Sequence, residues 1–207
     1  MSKPTITERD NGPLVVEGVT SMTDHRGNAI AVKPVMALCR CGKSANKPFC
    51  DGAHNDGFDG SREDVTGRDK IYTYTHDGKT VHFSKLLCSH AGECVRRSVA
   101  MFNPKRRPWV MLENGTKSQI EEIVQACPSG ALRISEEGGE PHHLYGDGVE
   151  IRVEKNGAYW VKEADLENPK PMQGATEKKF VLCRCGKSSN KPYCDGTHYE
   201  ESWREND

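Results

Sequence analysis

The chain has no apolar run approaching the ~20 residues that a membrane-spanning helix needs, so no membrane partner is expected. It is also poor in core-forming residues. Hydrophobic types make up 35% of its 207 residues and aromatics 7%, and the mean hydropathy is −0.74. A large apolar core is not expected, and small domains with thin cores usually need staples such as metals. Charge of one sign is lacking too: 29 Lys and Arg stand against 30 Asp and Glu. That balance gives no argument for nucleic acid or an anionic surface as partner. The opening MSKPTITERDNG has no apolar stretch and carries acids, unlike a secretory or transit signal, so a cytoplasmic, reducing setting is the expectation. There is no Gly-rich nucleotide fingerprint, nucleophile elbow or HExxH helix. No acid–base pair is legible, so no catalytic residue and no enzyme activity are expected.

What the chain has is cysteine. Nine is an odd number, which disfavours a closed disulfide framework. They fall as 39, 41, 50, then 88, 94, 127, then 183, 185, 194. Three groups of three leave none over and read as three metal sites.

The outer groups belong to a repeat. Residues 38–54 read LCRCGKSANKPFCDGAH and residues 182–198 read LCRCGKSSNKPYCDGTH, identical at 14 of 17 positions with an offset of 144. Each copy places Cys39, Cys41, Cys50 and His54, or Cys183, Cys185, Cys194 and His198, within sixteen residues. The repeat reaches upstream as well. Asn11-Gly12 and Asn156-Gly157 each precede a β-prone stretch, Leu14-Val15-Val16 and Tyr159-Trp160-Val161, which is a turn-then-strand signal. Internal duplication follows, with the two copies able to pack against each other. Gly42 and Gly52 allow tight turns, and Pro48 and Pro192 stiffen the loop before the third cysteine. Asp51 and Asp195 stand where an N-cap would start a short helix carrying the histidine.

Structural zinc with a Cys3His shell is the plain reading of such a set, but zinc sites usually space their cysteines by two to four residues. The pattern Cys-x-Cys-x2-Ser-x3-Pro-x-Cys-Asp-Gly-small-His resembles the CDGSH (NEET-type) iron–sulfur family. Ser44, Pro48, Asp51, Gly52 and Ala53 carry the likeness in one copy, and Ser188, Pro192, Asp195, Gly196 and Thr197 in the other. The resemblance implies a 2Fe–2S cluster in each copy, held by three thiolates and one imidazole, with the histidine near the surface. One imidazole in place of a thiolate should raise the potential above that of an all-cysteine cluster. Protonation of His54 or His198 should compete with the iron and make the clusters labile in mild acid. Lys47, Lys191, Arg40 and Arg184 read equally as charges near the clusters or as solvated turn residues.

The middle group has another pattern. Cys88, Cys94 and a remote Cys127-Pro128 take three of the four positions of a ferredoxin-type set, and Ala91 takes the second. That corner is either vacant, giving 3Fe–4S, or filled by His90 or Glu93, giving 4Fe–4S with a non-cysteine ligand. Residues 70–135 resemble the divergent mono-cluster ferredoxin family through His90-Ala91-Gly92, Arg107-Pro108-Trp109 and Cys127-Pro-Ser-Gly-Ala-Leu132. The bland alternative is a degenerate ferredoxin fold whose cysteines are merely buried. Local signals in this stretch are a strand at 71–74, a short helix at 94–102, strand-like 109–111, and a helix through Ile120, Ile123 and Val124. A Ser118/Glu121 capping box would open that last helix.

The expected fold class is α+β: two small β-rich CDGSH modules (1–62 and 146–207) flanking a compact ferredoxin-like α+β module (68–136). Residues 60–70 and 136–148 read as linkers, and 199–207 as a polar tail. His142-His143 in the second linker read as solvated, and Lys105-Arg106-Arg107 as a solvated turn or a dock for an acidic redox partner. The expected cofactors are two 2Fe–2S clusters and one 3Fe–4S cluster. The expected function is electron transfer with a reductase or oxidoreductase, or else cluster delivery to an apo acceptor. A monomer with its two CDGSH modules paired internally is expected.

Overall fold

The computed structural model describes residues 3–65, 67–169 and 172–205. It is α+β, rich in short strands and with few helices. The chain begins with β1 (Thr5–Glu8) and β2 (Leu14–Glu17), joined through Asn11 in the left-handed region at φ 45°. β3 (Met22–Asp24) and β4 (Val35–Leu38) follow, and β4 delivers the chain to Cys39. The middle segment forms a hairpin of β5 (Ile71–His76) and β6 (Lys79–Ser84), then α1 (Glu93–Arg97), α2 (Lys117–Ala126) and β7 (Leu132–Glu136). The second copy repeats the first as β8 (Ile151–Val153), β9 (Tyr159–Lys162), β10 (Asp165–Leu166) and β11 (Lys179–Leu182), and ends in α3 (Thr197–Glu200).

The two copies exchange a strand. β10 joins β1 in parallel, with Thr5 opposite Asp165 and Ile6 opposite Leu166, completing a sheet of order β10-β1-β2-β4. β3 joins β8 in parallel, with Met22 opposite Ile151 and Asp24 opposite Val153, completing β11-β9-β8-β3. Each copy therefore lends its third strand to the other, as a pseudo-twofold relation requires. Period-two alternation turns Leu14 and Val16, and likewise Tyr159 and Val161, inward. One apolar cluster draws on both copies, including Ile6, Met36 and Leu38 from the first and Ile151, Phe180 and Leu182 from the second. Segments 1–62 and 146–207 thus share a core. Each such buried side chain contributes ~1.5–3 kcal/mol.

The middle segment has its own core. The antiparallel sheet β5-β6-β7 packs with α2 through Val81, Leu132 and Ile134 against Ile120, Ile123 and Val124. Three local expectations are corrected here. The capping box is formed by Thr116 and Gln119: the Gln119 N–H donates to Thr116 Oγ1 at 3.3 Å and the Thr116 N–H to Gln119 Oε1 at 2.9 Å. Thr116 is the extended residue before the helix, so Ser118 already lies inside it. The helix after Cys94 ends at Arg97, where Ser98 turns extended. Residues 109–111 contribute a single bridge, Phe102 to Val110.

Both linkers are tied down. The Asp69 carboxylate accepts from Ser84 Oγ at 2.7 Å and from the Leu86 N–H at 3.0 Å. His142 bridges to Ile134, and Leu144 packs on the middle core. Among the described residues no helix is long and apolar enough to cross a membrane.

Candidate metal centres

In each repeat the loop after β4 or β11 is folded by the same hydrogen bonds. The Cys39 N–H donates to the Pro48 carbonyl at 2.9 Å and the Cys183 N–H to that of Pro192 at 2.8 Å. Ser44 Oγ donates to the Phe49 carbonyl and Ser188 Oγ to that of Tyr193, both at 2.7 Å. The Asp51 carboxylate clamps the loop by accepting from the N–H groups of Ala45 (2.7 Å) and Ala53 (3.0 Å). Asp195 does the same with Ser189 (2.9 Å) and Thr197 (3.1 Å). Hydrogen bonds from Ala53 and Ala45 hold the Asp51 carboxyl below the usual carboxylate range. Burial opposes this at Asp195, yet hydrogen bonds from Thr197 and Ser189 still keep it low.

Neither aspartate is the N-cap that the sequence suggests. Gly52 (φ 96°) and Gly196 (φ 91°) take that position, and each carboxylate bonds one step beyond it. Only the second histidine sits on a short α-helix; His54 lies in a single 3-10 turn, Ala53–Asn55.

The ligand candidates fall into pairs. Cys39 Sγ and Cys41 Sγ are 3.7 Å apart, and Cys50 Sγ lies 3.3 Å from His54 Nδ1. The second copy repeats both values for Cys183/Cys185 and Cys194/His198. A tetrahedral metal with sulfur at ~2.3 Å has an edge of about 3.8 Å, so each cysteine pair is already spaced to hold one metal. Among the described residues no three His, Cys, Asp or Glu side chains draw together around a single ion; each repeat presents two pairs. The two sites meet back to back. Cys41 and Cys185 pair as an antiparallel bridge. A Cβ on Gly42 would come within 2.5 Å of the Cys185 carbonyl oxygen, and one on Gly186 equally close to that of Cys41.

In the middle module, Cys88, Cys94 and Cys127 interact electrostatically with one another. Burial, reinforced by Cys127, pushes Cys88 up to about 12 and Cys94 up to about 11. The two candidates for a fourth ligand are engaged elsewhere. His90 turns to the second repeat, where its ring lies 5.7 Å from that of Tyr199, edge to face. The Glu93 carboxylate pairs with Arg96 and lies 3.5 Å from Arg97 Nε.

The family described as "Iron-binding zinc finger CDGSH type" matches residues 11–55 and 140–199, about half of the chain. That described as "Divergent 4Fe-4S mono-cluster" matches residues 74–137 between them. The chain belongs to the CDGSH iron–sulfur family. Among curated relatives it is 38% identical over 60 residues to the Escherichia coli (strain K12) protein named "Uncharacterized protein YjdI", covering 79% of that protein and 29% of this chain. The same values hold for its counterpart in Escherichia coli O157:H7.

The donor set fits iron–sulfur cofactors. Buried thiols with mutual repulsion ionise readily only when a metal lies among them. Two buried polar side chains beside these sites, Ser89 Oγ and the Asn190 amide, have no hydrogen-bond partner among the described residues. Both could donate to a thiolate or sulfide. Cys39, Cys41, Cys50 and His54 would hold one cluster, Cys183, Cys185, Cys194 and His198 a second, and Cys88, Cys94 and Cys127 a third. Bound clusters would supply one-electron chemistry; the chain's own residues shield the ligands and set their charge.

Several side chains do this without having stood out in the sequence. Phe58 packs on Cys39 and Cys41, and Trp203 on Cys183 and Cys185. The residues expected to be a polar tail therefore close the second CDGSH site. One aromatic four or five residues beyond each histidine was the available signal. Arg40 and Arg184 are buried, not solvated. Arg40 donates to the carbonyls of Gly12 and Arg9, both at 2.7 Å, and pairs with Glu8 at 2.9 Å. Arg184 donates to the Glu154 carbonyl at 2.8 Å and pairs with Glu205 at 2.6 Å.

The two CDGSH sites differ in cover. Asn46, Asp51 and Cys50 are exposed or half-buried, whereas Asn190 and Cys194 are buried and Asp195 half-buried. The cover is the middle module. Lys179, 2% exposed, donates to the carbonyls of Val124 (3.1 Å) and Gln125 (3.3 Å) at the end of α2, just before Cys127, and to that of Leu144 (2.7 Å) in the segment after β7. Beside His198 a cleft of about 310 Å³ remains, lined among others by Ser89, His90, Trp160 and Tyr199.

Proposed function

We propose that this protein is a one-electron carrier holding two 2Fe–2S clusters, each on three cysteines and one histidine, and a third cluster on Cys88, Cys94 and Cys127. The observation that carries the reading is enclosure. Cys183, Cys185 and Cys194 are buried, and the half-buried cysteines of the middle module lie beside them, a setting suited to keeping a cluster while its charge changes. The two-pair arrangement of each CDGSH site supports a two-iron cluster over a lone zinc, since each iron needs two protein ligands. For the middle centre we favour 3Fe–4S: Ala91 stands at the fourth corner, and His90 and Glu93 have other partners. The protein is expected to act as a monomer, with a reductase or oxidoreductase as its redox partner.

The test is to mix the loaded protein with a ferredoxin reductase and, separately, with an apo-ferredoxin. Fast reversible reduction without cluster loss is expected; appearance of cluster on the acceptor would overturn the carrier reading. An oxidised-state EPR signal is expected from a 3Fe–4S centre, and its absence at full iron loading would exclude that nuclearity. A second reading, cluster delivery, is favoured by one observation: Cys50 and His54 of the first site are only half-buried.

A further inference from the structure

The middle module is not suspended between two equivalent CDGSH sites. It docks on one of them. His90, two residues after Cys88, lies against the loop between Cys194 and His198, so closely that a Cβ on Gly196 would come within 2.9 Å of its ring. Tyr199, next to His198, meets the same ring edge to face. Leu87 and Ser129, neighbours of Cys88 and Cys127, line a small enclosed space together with Val181, Tyr193 and Cys194. The Cys88 and Cys194 thiols are close enough to interact electrostatically. Lys179, four residues before Cys183, is bonded to the carbonyls that precede Cys127. In the first copy the equivalent glycine, Gly52, has nothing nearer to such a Cβ than its own loop's Asn55 Nδ2 at 3.7 Å, and the equivalent of Lys179 is the exposed Val35.

We infer that the site at 183–198 is the electronic junction of the molecule: it exchanges electrons with the middle centre across the His90–Gly196 contact and with the site at 39–54 across the Cys41–Cys185 bridge. This rests on the carrier reading and adds a route to it. One electron moves at each step, no bond forms or breaks, and the donor and acceptor at the ends are one-electron protein partners. The middle centre and the 39–54 site communicate through the junction. The 39–54 site, with Cys50 and His54 half-exposed, is the CDGSH end of the route that faces outward.

The loaded protein tests this directly. In fully reduced wild type, EPR should show spin–spin interaction between the middle centre and one CDGSH cluster. Gly196→Ala keeps every ligand but drives a methyl group into the His90 ring. Gly52→Ala carries the same left-handed backbone strain with room for the methyl group. After rapid reduction of the middle centre by dithionite, onward reduction of the CDGSH clusters should be slower in Gly196→Ala than in Gly52→Ala by about tenfold, equivalent to about 1.4 kcal/mol of barrier. The spin–spin interaction should weaken in Gly196→Ala alone. Equal behaviour of the two variants, or a wild-type spectrum that is a plain sum of three isolated centres, would overturn the junction. Neither result would touch reversible reduction by a reductase. Conversely, cluster loss to an apo-ferredoxin would overturn the carrier reading while leaving the spin–spin interaction in place.

Discussion

The ammonium of Lys179 donates to the carbonyl of Val124 at 3.1 Å, three residues before Cys127. A second carbonyl of the same helix end and that of Leu144 complete its shell. Burial lowers this lysine to about 8, yet three carbonyl oxygens, two of them at a helix C-terminus, favour the charged form. Lys179→Met should remove this donor from all three carbonyls, of which Val124 keeps the Cys127 N–H, and reduce stability by about 1–3 kcal/mol, read as an earlier urea midpoint for cluster bleaching. The loss of a cation beside Cys127 should also lower the potential of the middle centre, while both CDGSH potentials stay nearly fixed. Redox titration followed by EPR separates the three.

Phe58 and Trp203 each cap one cysteine pair and are each 8% exposed. Truncating a buried aromatic costs about 3–5 kcal/mol in a main core, and these small satellite clusters should fall at or below the lower end. Phe58→Ala should speed iron loss to a chelator from the first site and Trp203→Ala from the second. Mössbauer or EPR counting of the residual clusters would assign each loss; loss of the same cluster in both variants would refute the pairing.

The two CDGSH sites should release iron in a fixed order. Cys50 is half-buried, whereas Cys194 is 3% exposed beneath the middle module. A chelator should therefore strip the first site before the second in the wild-type protein. Exchange of His54 or His198 for cysteine adds a negative ligand and should lower that site's potential. His54→Cys should also slow release at the first site more than His198→Cys does at the second, because burial of Cys194 already slows release there.

His143 gives the stability a pH dependence. Burial lowers its pKa from 6.5 to about 4, against a hydrogen bond with the Gly130 carbonyl at 3.1 Å. The folded state thus holds fewer protons on this ring than the unfolded state between those values. Its contribution is complete above pH ~6.5 and is lost as pH falls toward 4. Discounted for its partial exposure, the loss should be on the order of 1–2 kcal/mol. Urea midpoints at pH 7 and pH 5 should differ less in His143→Gln than in wild type.

The CDGSH motifs were legible because a metal site of this kind is local: four candidate donors within sixteen residues carry their spacing in the sequence itself. The Asn-Gly turns and the strands after them were legible for the same reason, as was the helix stopped by Cys127-Pro128. Local reading failed where two adjacent choices compete, as with Thr116 and Ser118, both able to cap. It failed again at Arg40 and Arg184, since nothing nearby shows that an arginine between two cysteines will be buried against carbonyls some thirty residues away.

The sequence by itself determined that this chain carries two CDGSH motifs with a divergent 4Fe-4S mono-cluster segment between them, because residue type and spacing mark what a short loop can bind. The tertiary structure alone decided that β3 and β10 change places, that the two copies share one core, and that the middle module closes over the second site and leaves the first half-open. Those outcomes depend on contacts between residues more than a hundred positions apart. Such contacts leave no periodicity in the chain, and a difference like Val35 against Lys179 gains meaning only when the neighbouring helix end is in place.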